Sequence, residues 1–128
     1  MQFLRMVLGG VFDRHPDLQV VLGHWGEVVL FFTERFEAVL GPRLQRPLQE
    51  VLHQNVWVAG SGMLSERYVR WAAEVVGEDR LLHSTDYPFV DTGDGRARAF
   101  LESAPLTPAQ RESAGSGAWE RLTGHLAR

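Results

Sequence analysis

The chain is short, mildly acidic and free of cysteine, and these features exclude several classes of protein. It has 128 residues, of which 45% are hydrophobic, and a formal net charge of −3. We expect residues 1–128 to form one domain, because a chain of this length buries roughly two-thirds of its surface on folding. A complete eight-stranded α/β barrel, which typically needs about 250 residues, does not fit into this length.

The charged residues narrow the range of partners and chemistries. No basic block accompanies the negative net charge, which argues against nucleic acid or an anionic membrane as a partner. The lack of cysteine excludes a disulfide framework, and the lack of lysine among the 13 basic residues excludes a Schiff base. No apolar stretch approaches the ~20 residues of a membrane span, so we expect a cytoplasmic protein.

Helical and extended patterns alternate in the first half of the chain. Apolar spacing predicts a helix over 1–14 that stops before Pro16, since proline disfavours helical backbone at the preceding residue. The run 18–23 predicts a buried strand that ends at His24. A helix is then expected over 26–40, where one face carries the apolar residues Val28, Phe32, Phe36 and Leu40. A second, weaker helical pattern follows, formed by Leu44, Leu48, Val51 and Leu52.

The second half of the chain repeats this alternation. Strands are expected over 55–59 and 80–85, and Ser65 is placed to cap a helix over 66–76 between them. The last helix opens at Thr107 with a capping box and a proline at its first position. Strands separated by helices imply parallel pairing with right-handed crossovers. The predicted fold class is therefore α/β, with three parallel strands and flanking helices.

Three polar residues each lie just past the carboxyl end of a predicted strand, namely His24, Ser61 and Asp86. In parallel α/β proteins, ligands and catalytic groups collect at that edge of the sheet. The regular placement of the three residues therefore predicts a functional site at this edge.

His24 has two interpretations. In the sequence Gly23-His24-Trp25-Gly26-Glu27 it is placed to act as a general base or a metal-associated imidazole, with Glu27 orienting the loop or the ring. In a purely structural turn, the glycines would make the bend and Glu27 would favour the N-terminus of the next helix. Trp25 could form a wall of a substrate pocket beside the histidine.

Asp86 is the second candidate catalytic residue. A carboxylate at the end of an apolar strand can bind a metal or accept a proton, and its alternative role is to cap the following turn. Ser61 or Ser84 with His24 and Asp86 would make a nucleophilic triad. Neither serine lies in a Gly-x-Ser-x-Gly sequence, so we disfavour the triad and keep Ser61 as a supporting residue.

The other histidines are expected to be structural or exposed. His15 and His53 precede strands and therefore belong to the opposite edge of the sheet. His83 lies three residues before Asp86, so we expect it on the opposite face of the strand, in the core beside the helices. His125 is expected to be exposed near the end of the chain.

Five segments that occur in order carry a family resemblance. They are Gly-Val-Phe-Asp-Arg-His-Pro-Asp-Leu at 10–18, Val-Leu-Gly-His-Trp-Gly-Glu at 21–27, Ser-Gly-Met at 61–63, Asp-Arg at 79–80 and Ser-Thr-Asp-Tyr-Pro-Phe at 84–89. This set resembles the C-terminal part of the amidohydrolase-related (amidohydrolase 2) metal-dependent hydrolases and decarboxylases. That family includes aminocarboxymuconate-semialdehyde decarboxylase and γ-resorcylate decarboxylase.

The resemblance implies a fold and a chemistry. Members of the family are distorted (β/α)8 barrels with one divalent metal, commonly zinc and in some members manganese, and they act on small carboxylate or cyclic substrates. The chain would then be a partial (β/α)8 barrel whose three strands correspond to the sixth, seventh and eighth. Asp86 matches the metal-ligating aspartate, His24 matches the catalytic acid/base, and Glu27 looks like its supporting companion.

Part of the family's metal site has no counterpart in the chain. The amino-terminal His-x-His or Glu-x-His pair and the mid-chain histidine ligand are missing. Since a catalytic zinc normally keeps three protein ligands, we expect this chain alone to lack a full metal site. One interpretation is that the chain is part of an enzyme whose other half lies on another chain or was lost upstream of Met1. Another is that Met1 is an internal residue of a longer enzyme. The alternative is a non-catalytic, truncated α/β module for self-association or small-molecule binding.

An open sheet of three parallel strands needs cover, because three strands cannot close a barrel. We expect Val20, Leu22, Val58 and Leu82 to lie on the inward face, where they would otherwise contact water. The chain is therefore predicted to form a homo-oligomer, to meet a partner that supplies the missing barrel half, or to fold its helices over the open sheet.

Overall fold

The computed structural model of the chain describes residues 2–91 and 93–124. Helices and short strands alternate in this part, as the sequence predicts. The strands are β1 Val20–Leu22, β2 Val56–Ala59 and β3 Leu81–Leu82. The helices are α1 Gln2–Leu8, α2 Val11–Arg14, α3 Val28–Phe31, α4 Thr33–Leu40, α5 Leu48–Asn55, α6 Glu66–Val76, α7 Arg96–Ser103, α8 Pro108–Glu112 and α9 Ala118–Thr123.

The three strands form one parallel sheet in the order β1-β2-β3. Leu22 is in register with Val58, and Ala59 is in register with Leu82. Each parallel connection runs through helices, as parallel pairing requires. The predicted α/β fold class, with three parallel strands and flanking helices, is confirmed. None of the helices in the described ranges is long and apolar enough to cross a membrane.

One face of the sheet packs against the helices and forms the main core. Val58 is fully buried there, and Val20 and Leu22 pack against the same cluster. The expected inward position of these three residues is therefore wrong. Side chains alternate between faces along a strand, and the register aligns Leu22 with Val58, so all three point towards the helices.

The other face of the sheet carries a smaller apolar cluster. Trp57, Ala59 and Leu82 are buried there against Ala118 of α9, so the expected inward position holds for Leu82 alone. Val21, on the same face of β1, remains exposed. The chain thus covers two of its three strands on this face with its own last helix.

Two predicted helices are broken into shorter ones. The helix expected over 1–14 ends at Leu8 and resumes at Val11, because Gly10 adopts a left-handed conformation with φ 66°. The helix expected over 26–40 starts at Val28 and breaks at Phe32. Because of this break, the four apolar residues expected on one helical face are divided. Val28 and Phe32 are exposed, whereas Phe36 and Leu40 pack on the core.

Other boundaries differ less. Helix α6 has the predicted bounds, but the Ser65 side chain makes no capping hydrogen bond. The capping box is confirmed, because Thr107 Oγ1 accepts from the Gln110 amide and Gln110 Oε1 accepts from the Thr107 amide. Strand β3 is shorter than the expected 80–85.

The amino end of the sheet is held by side-chain hydrogen bonds. The fully buried Asn55 donates through Nδ2 to the carbonyl oxygens of Pro16 (2.7 Å) and Leu18 (2.8 Å). Trp57 Nε1 donates to Gln19 Oε1 at 2.8 Å, and one guanidinium nitrogen of the Arg80 side chain donates to the same oxygen at 2.9 Å. These bonds join the segment before β1 to the starts of β2 and β3.

Candidate active site

The carboxyl end of the sheet brings the predicted site residues together. His24 follows β1, Ser61 follows β2 and Asp86 follows β3, and because the strands are parallel all three lie at one edge. His24 Nε2 is 3.6 Å from Asp86 Oδ2, and His24 Nδ1 is 3.9 Å from Glu27 Oε1. The imidazole therefore lies between two carboxylates, one on each side of the ring.

The backbone at this edge is strained. Among the described residues, five that are not glycine have a positive φ: His24 (50°), Trp25 (55°), Glu27 (47°), Ser61 (45°) and Asp86 (61°). These are the same five residues that the sequence predicts to be catalytic or supporting. A left-handed conformation costs an L-residue roughly 1–2 kcal/mol. Such strain persists where the surrounding structure enforces it, and it clusters at functional sites.

The loops that follow β2 and β3 are tied to each other by Ser84. Its hydroxyl accepts a hydrogen bond from the Ser61 amide at 2.8 Å, and its carbonyl accepts one from the Gly62 amide at 3.0 Å. Ser61 Oγ in turn lies so close to β1 that a Cβ on Gly23 would be 3.1 Å from it. A nucleophilic triad would require a hydrogen bond from Ser61 or Ser84 to His24. Within the described residues, neither serine makes one.

Ser84 is the residue that sequence reasoning missed in this role. It was weighed only as a nucleophile, although it lies two residues before Asp86. Its actual contact is with a backbone amide of the neighbouring loop. No sequence pattern predicts such a contact, because the pairing of β2 with β3 determines how the two loops lie relative to each other.

Trp25 connects the turn after β1 to the loop after β2. Its indole Nε1 donates to the Met63 carbonyl at 2.8 Å, and the side chain is only 8% exposed. A Cβ on Gly60 would lie 3.0 Å from the indole ring, so the glycine permits the close approach. The His24 and Glu27 side chains on either side of it are 45% and 67% exposed.

An apolar cavity opens beside His24. Its volume is about 320 Å³, and its walls include Trp25, Phe31, Tyr68 and Trp71. His24 and Glu27 supply polar groups to the lining. Cavities of roughly 300 Å³ or more with mostly apolar walls and a few polar groups are typical of small-molecule sites.

The other histidines of the described residues are His15, His53 and His83. His15 and His53 are exposed, and His125 lies outside the described residues. His83 is half-buried beside Leu101 and Leu106, on the helix side of the sheet as predicted. Burial lowers the pKa of its imidazole, because the charged form loses its hydration.

The donor set does not by itself fit a metal ion. Asp86 offers a carboxylate and His24 an imidazole nitrogen, but Glu27 lies on the other side of the ring. Within ranges 2–91 and 93–124, no three histidine, aspartate or glutamate side chains are grouped closely enough to hold a metal. Catalytic zinc sites usually have three protein ligands. The described residues therefore supply too few.

Comparison with known proteins identifies the family. The amidohydrolase family model (Amidohydro_2) matches residues 1–122 of the chain. The chain belongs to the amidohydrolase family, and the resemblance read from the sequence is confirmed.

Similar proteins of this family are decarboxylases. Decarboxylase orsB of Emericella nidulans is 34% identical over 95 residues, which cover 70% of this chain and 28% of that protein. The γ-resorcylate decarboxylase of Polaromonas sp. JS666 is 28% identical over 126 residues, covering 93% of this chain and 38% of the enzyme.

A solved structure shares the fold. The dihydroxybenzoic acid decarboxylase from Polaromonas sp. JS666, with bound manganese and the inhibitor 2-nitroresorcinol, superposes with a TM-score of 0.84 at 28% identity. The match covers 98% of this chain and 39% of that one. The chain thus spans less than two-fifths of the length of these relatives.

Proposed function

We propose that this chain supplies the carboxyl-terminal part of the active site of an amidohydrolase-family decarboxylase that acts on a small aromatic carboxylate. The observation that carries the proposal is the approach of His24 Nε2 to Asp86 Oδ2, 3.6 Å apart at the carboxyl edge of a partial barrel. The decarboxylases among its relatives favour decarboxylation over hydrolysis as the reaction.

His24 is proposed as the acid/base. Decarboxylation breaks a carbon–carbon bond and leaves an electron pair on the substrate carbon, which must then receive a proton. A histidine half-open to a cavity, with both ring nitrogens near carboxylates, can be held in one orientation and move that proton. Asp86 and Glu27 would orient the ring in this arrangement.

The cavity supports an aromatic substrate. Its volume of about 320 Å³ is suited to a single substituted ring, and the Phe31, Tyr68 and Trp71 side chains offer apolar contact. Ser61 and Trp25 would act as supporting residues by fixing the loops around His24.

Asp86 is proposed as a ligand of the divalent metal that the family uses, manganese or zinc. Bound manganese in the Polaromonas relative favours the former. A metal there would polarise the substrate carboxylate. Because the described residues supply too few donors, further ligands would have to come from outside them, and we assign no step through the metal.

A hybrid enzyme tests the proposed function. In it, this chain replaces the matching region of the Polaromonas γ-resorcylate decarboxylase, and release of carbon dioxide from γ-resorcylate is measured with manganese present. We expect activity in the hybrid and a loss of about 100-fold or more with His24→Gln, the size expected for removal of an acid/base. The matched control is His53→Gln, an exposed histidine at the opposite edge.

Two outcomes would contradict the proposal. One is a folded hybrid that releases no carbon dioxide. The other is a His24→Gln hybrid as active as its parent, which would remove His24 from the chemistry.

A second candidate function, self-association without catalysis, is favoured by exposed apolar side chains. Phe31 is 56% exposed, and Val28 in α3, Phe32 at the break and Val39 in α4 are also exposed. Patches of this kind often mark interfaces. We propose that a second copy of the chain is the partner.

Light scattering coupled to size-exclusion chromatography tests this second candidate. We expect a dimer that dissociates when Phe31→Glu places a charge in the patch. The control Trp119→Glu changes an exposed aromatic residue on α9 instead. A monomer at all concentrations would contradict self-association.

A further inference from the structure

The turn that carries His24 is left-handed over four consecutive residues. From His24 to Glu27, φ is 50°, 55°, 71° and 47°, and glycine occupies only the third position. Two backbone hydrogen bonds close the turn, from the Gly26 amide to the Gly23 carbonyl (2.8 Å) and from the Glu27 amide to the His24 carbonyl (3.0 Å). L-residues avoid this conformation, so contacts outside the turn must enforce it.

Trp25 supplies those contacts. Of the three side chains in the turn it alone is buried, whereas those of His24 and Glu27 are exposed to solvent. Its indole N–H donates a hydrogen bond to the Met63 carbonyl, and its ring lies against Gly60, where an added Cβ would be 3.0 Å from the ring. Both anchors belong to the loop after β2, which is joined by two hydrogen bonds to Ser84, two residues before Asp86.

We propose that Trp25 is a positioning residue, which holds His24 against Asp86 by anchoring the left-handed turn to Met63 and Gly60. The inference rests on the proposed function, since it gives the residue that sets the geometry of the acid/base. Trp25 does not need to touch substrate for this role. Without its anchors the turn relaxes, and His24 moves away from the carboxylate.

Nuclear magnetic resonance of the 128-residue chain tests this role without an activity assay. The ¹⁵N shift of His24 Nε2 responds to its neighbouring carboxylate far more than to nearby rings, and Asp86→Asn gives its value without that carboxylate. We expect Trp25→Phe, which keeps an aromatic ring but loses the N–H donor, to move this shift towards the Asp86→Asn value. The Glu27 amide should exchange at least tenfold faster in the same variant.

Two further variants make the test selective. Trp119→Phe changes an exposed tryptophan on α9 and should leave the His24 signal at its original position. Gly60→Ala keeps the indole but crowds its ring, since the new Cβ would lie 3.0 Å from it. It should shift the His24 signal in the same direction by a smaller amount, and it decides the question if Trp25→Phe does not fold.

The outcomes separate this inference from the proposed function. If Asp86→Asn moves the His24 signal and neither Trp25→Phe nor Gly60→Ala does, Trp25 does not position the histidine and the inference is wrong. If Asp86→Asn itself leaves the signal unchanged, the His24–Asp86 pair is absent in solution, and the proposed function fails together with it.

Discussion

The two ends of the sheet are built on opposite principles. At the amino end, the buried Asn55 and the partly buried Gln19 each hold more than one hydrogen-bonding partner. At the carboxyl end, His24 and Glu27 are largely exposed, and the imidazole nitrogens lie 3.6 Å from Asp86 Oδ2 and 3.9 Å from Glu27 Oε1. The five strained non-glycine residues of the described ranges all lie at this second end.

The difference indicates where the chain gains stability and where it loses it. Satisfied, buried hydrogen bonds stabilise the amino end, and their loss leaves unpaired polar groups. Left-handed residues at the carboxyl end destabilise the fold, which is the pattern expected where function sets the geometry. Substitutions at the two ends should therefore change stability in opposite directions.

The largest effect is expected at the amino end. Asn55→Ala should lower the free energy of unfolding by about 3 kcal/mol, because the Pro16 and Leu18 carbonyls lose their donor inside the protein. Urea denaturation measures the change, with His53→Ala, an exposed site on the same helix, as the control. A loss below about 1 kcal/mol would show that the amino end does not carry the stability assigned to it.

A smaller effect of opposite sign is expected at the carboxyl end. Glu27 has φ 47° and ψ −128°, a conformation that glycine adopts far more readily than other residues. Glu27→Gly should raise the free energy of unfolding by about 1 kcal/mol. Glu27→Ala is the matched control, since it removes the same carboxylate and keeps the Cβ. Equal stability of the two variants would mean that strain at this residue is not relieved by glycine.

The smallest effect concerns pH and arises at His83, which directly follows β3. Burial lowers the pKa of His83 below its ordinary value of 6.5, so the unfolded chain takes up a proton there first as the pH falls. Stability should therefore decrease from pH 6.5 downwards until the lower, folded-state pKa is passed. His83→Leu should flatten this decrease and His53→Leu should not, as measured by urea denaturation at pH 7 and 5.5. An unchanged slope in His83→Leu would contradict the assignment.

The sequence predicted the edge of the site better than the packing around it. His24, Ser61 and Asp86 were placed at one edge because polar residues after parallel strands must meet there. The inward face was predicted wrongly for Val58 and its neighbours, since an all-apolar strand carries no signal of which side faces the helices.

The local backbone conformations also could not be predicted from the sequence. Periodicity does not reveal that Phe32 interrupts a helix or that Trp25 adopts a left-handed conformation. Such conformations are enforced by tertiary contacts, here the indole bond to the Met63 carbonyl. The same contacts explain why Trp25, predicted as a supporting residue and a pocket wall, is buried as well as lining the cavity.

Manganese-induced relaxation in the chain itself tests most directly whether the carboxyl end is the functional end. A paramagnetic ion broadens the amide signals of residues near it, so titration with Mn²⁺ maps where the ion is held. His24 and Asp86 are too few donors for tight binding, so we expect weak broadening, at high Mn²⁺ concentration only, centred on these two residues. It should be lost in Asp86→Asn and retained in Asp91→Asn, which changes an exposed carboxylate in the following loop. Broadening that is centred elsewhere, or that persists unchanged in Asp86→Asn, would contradict the account.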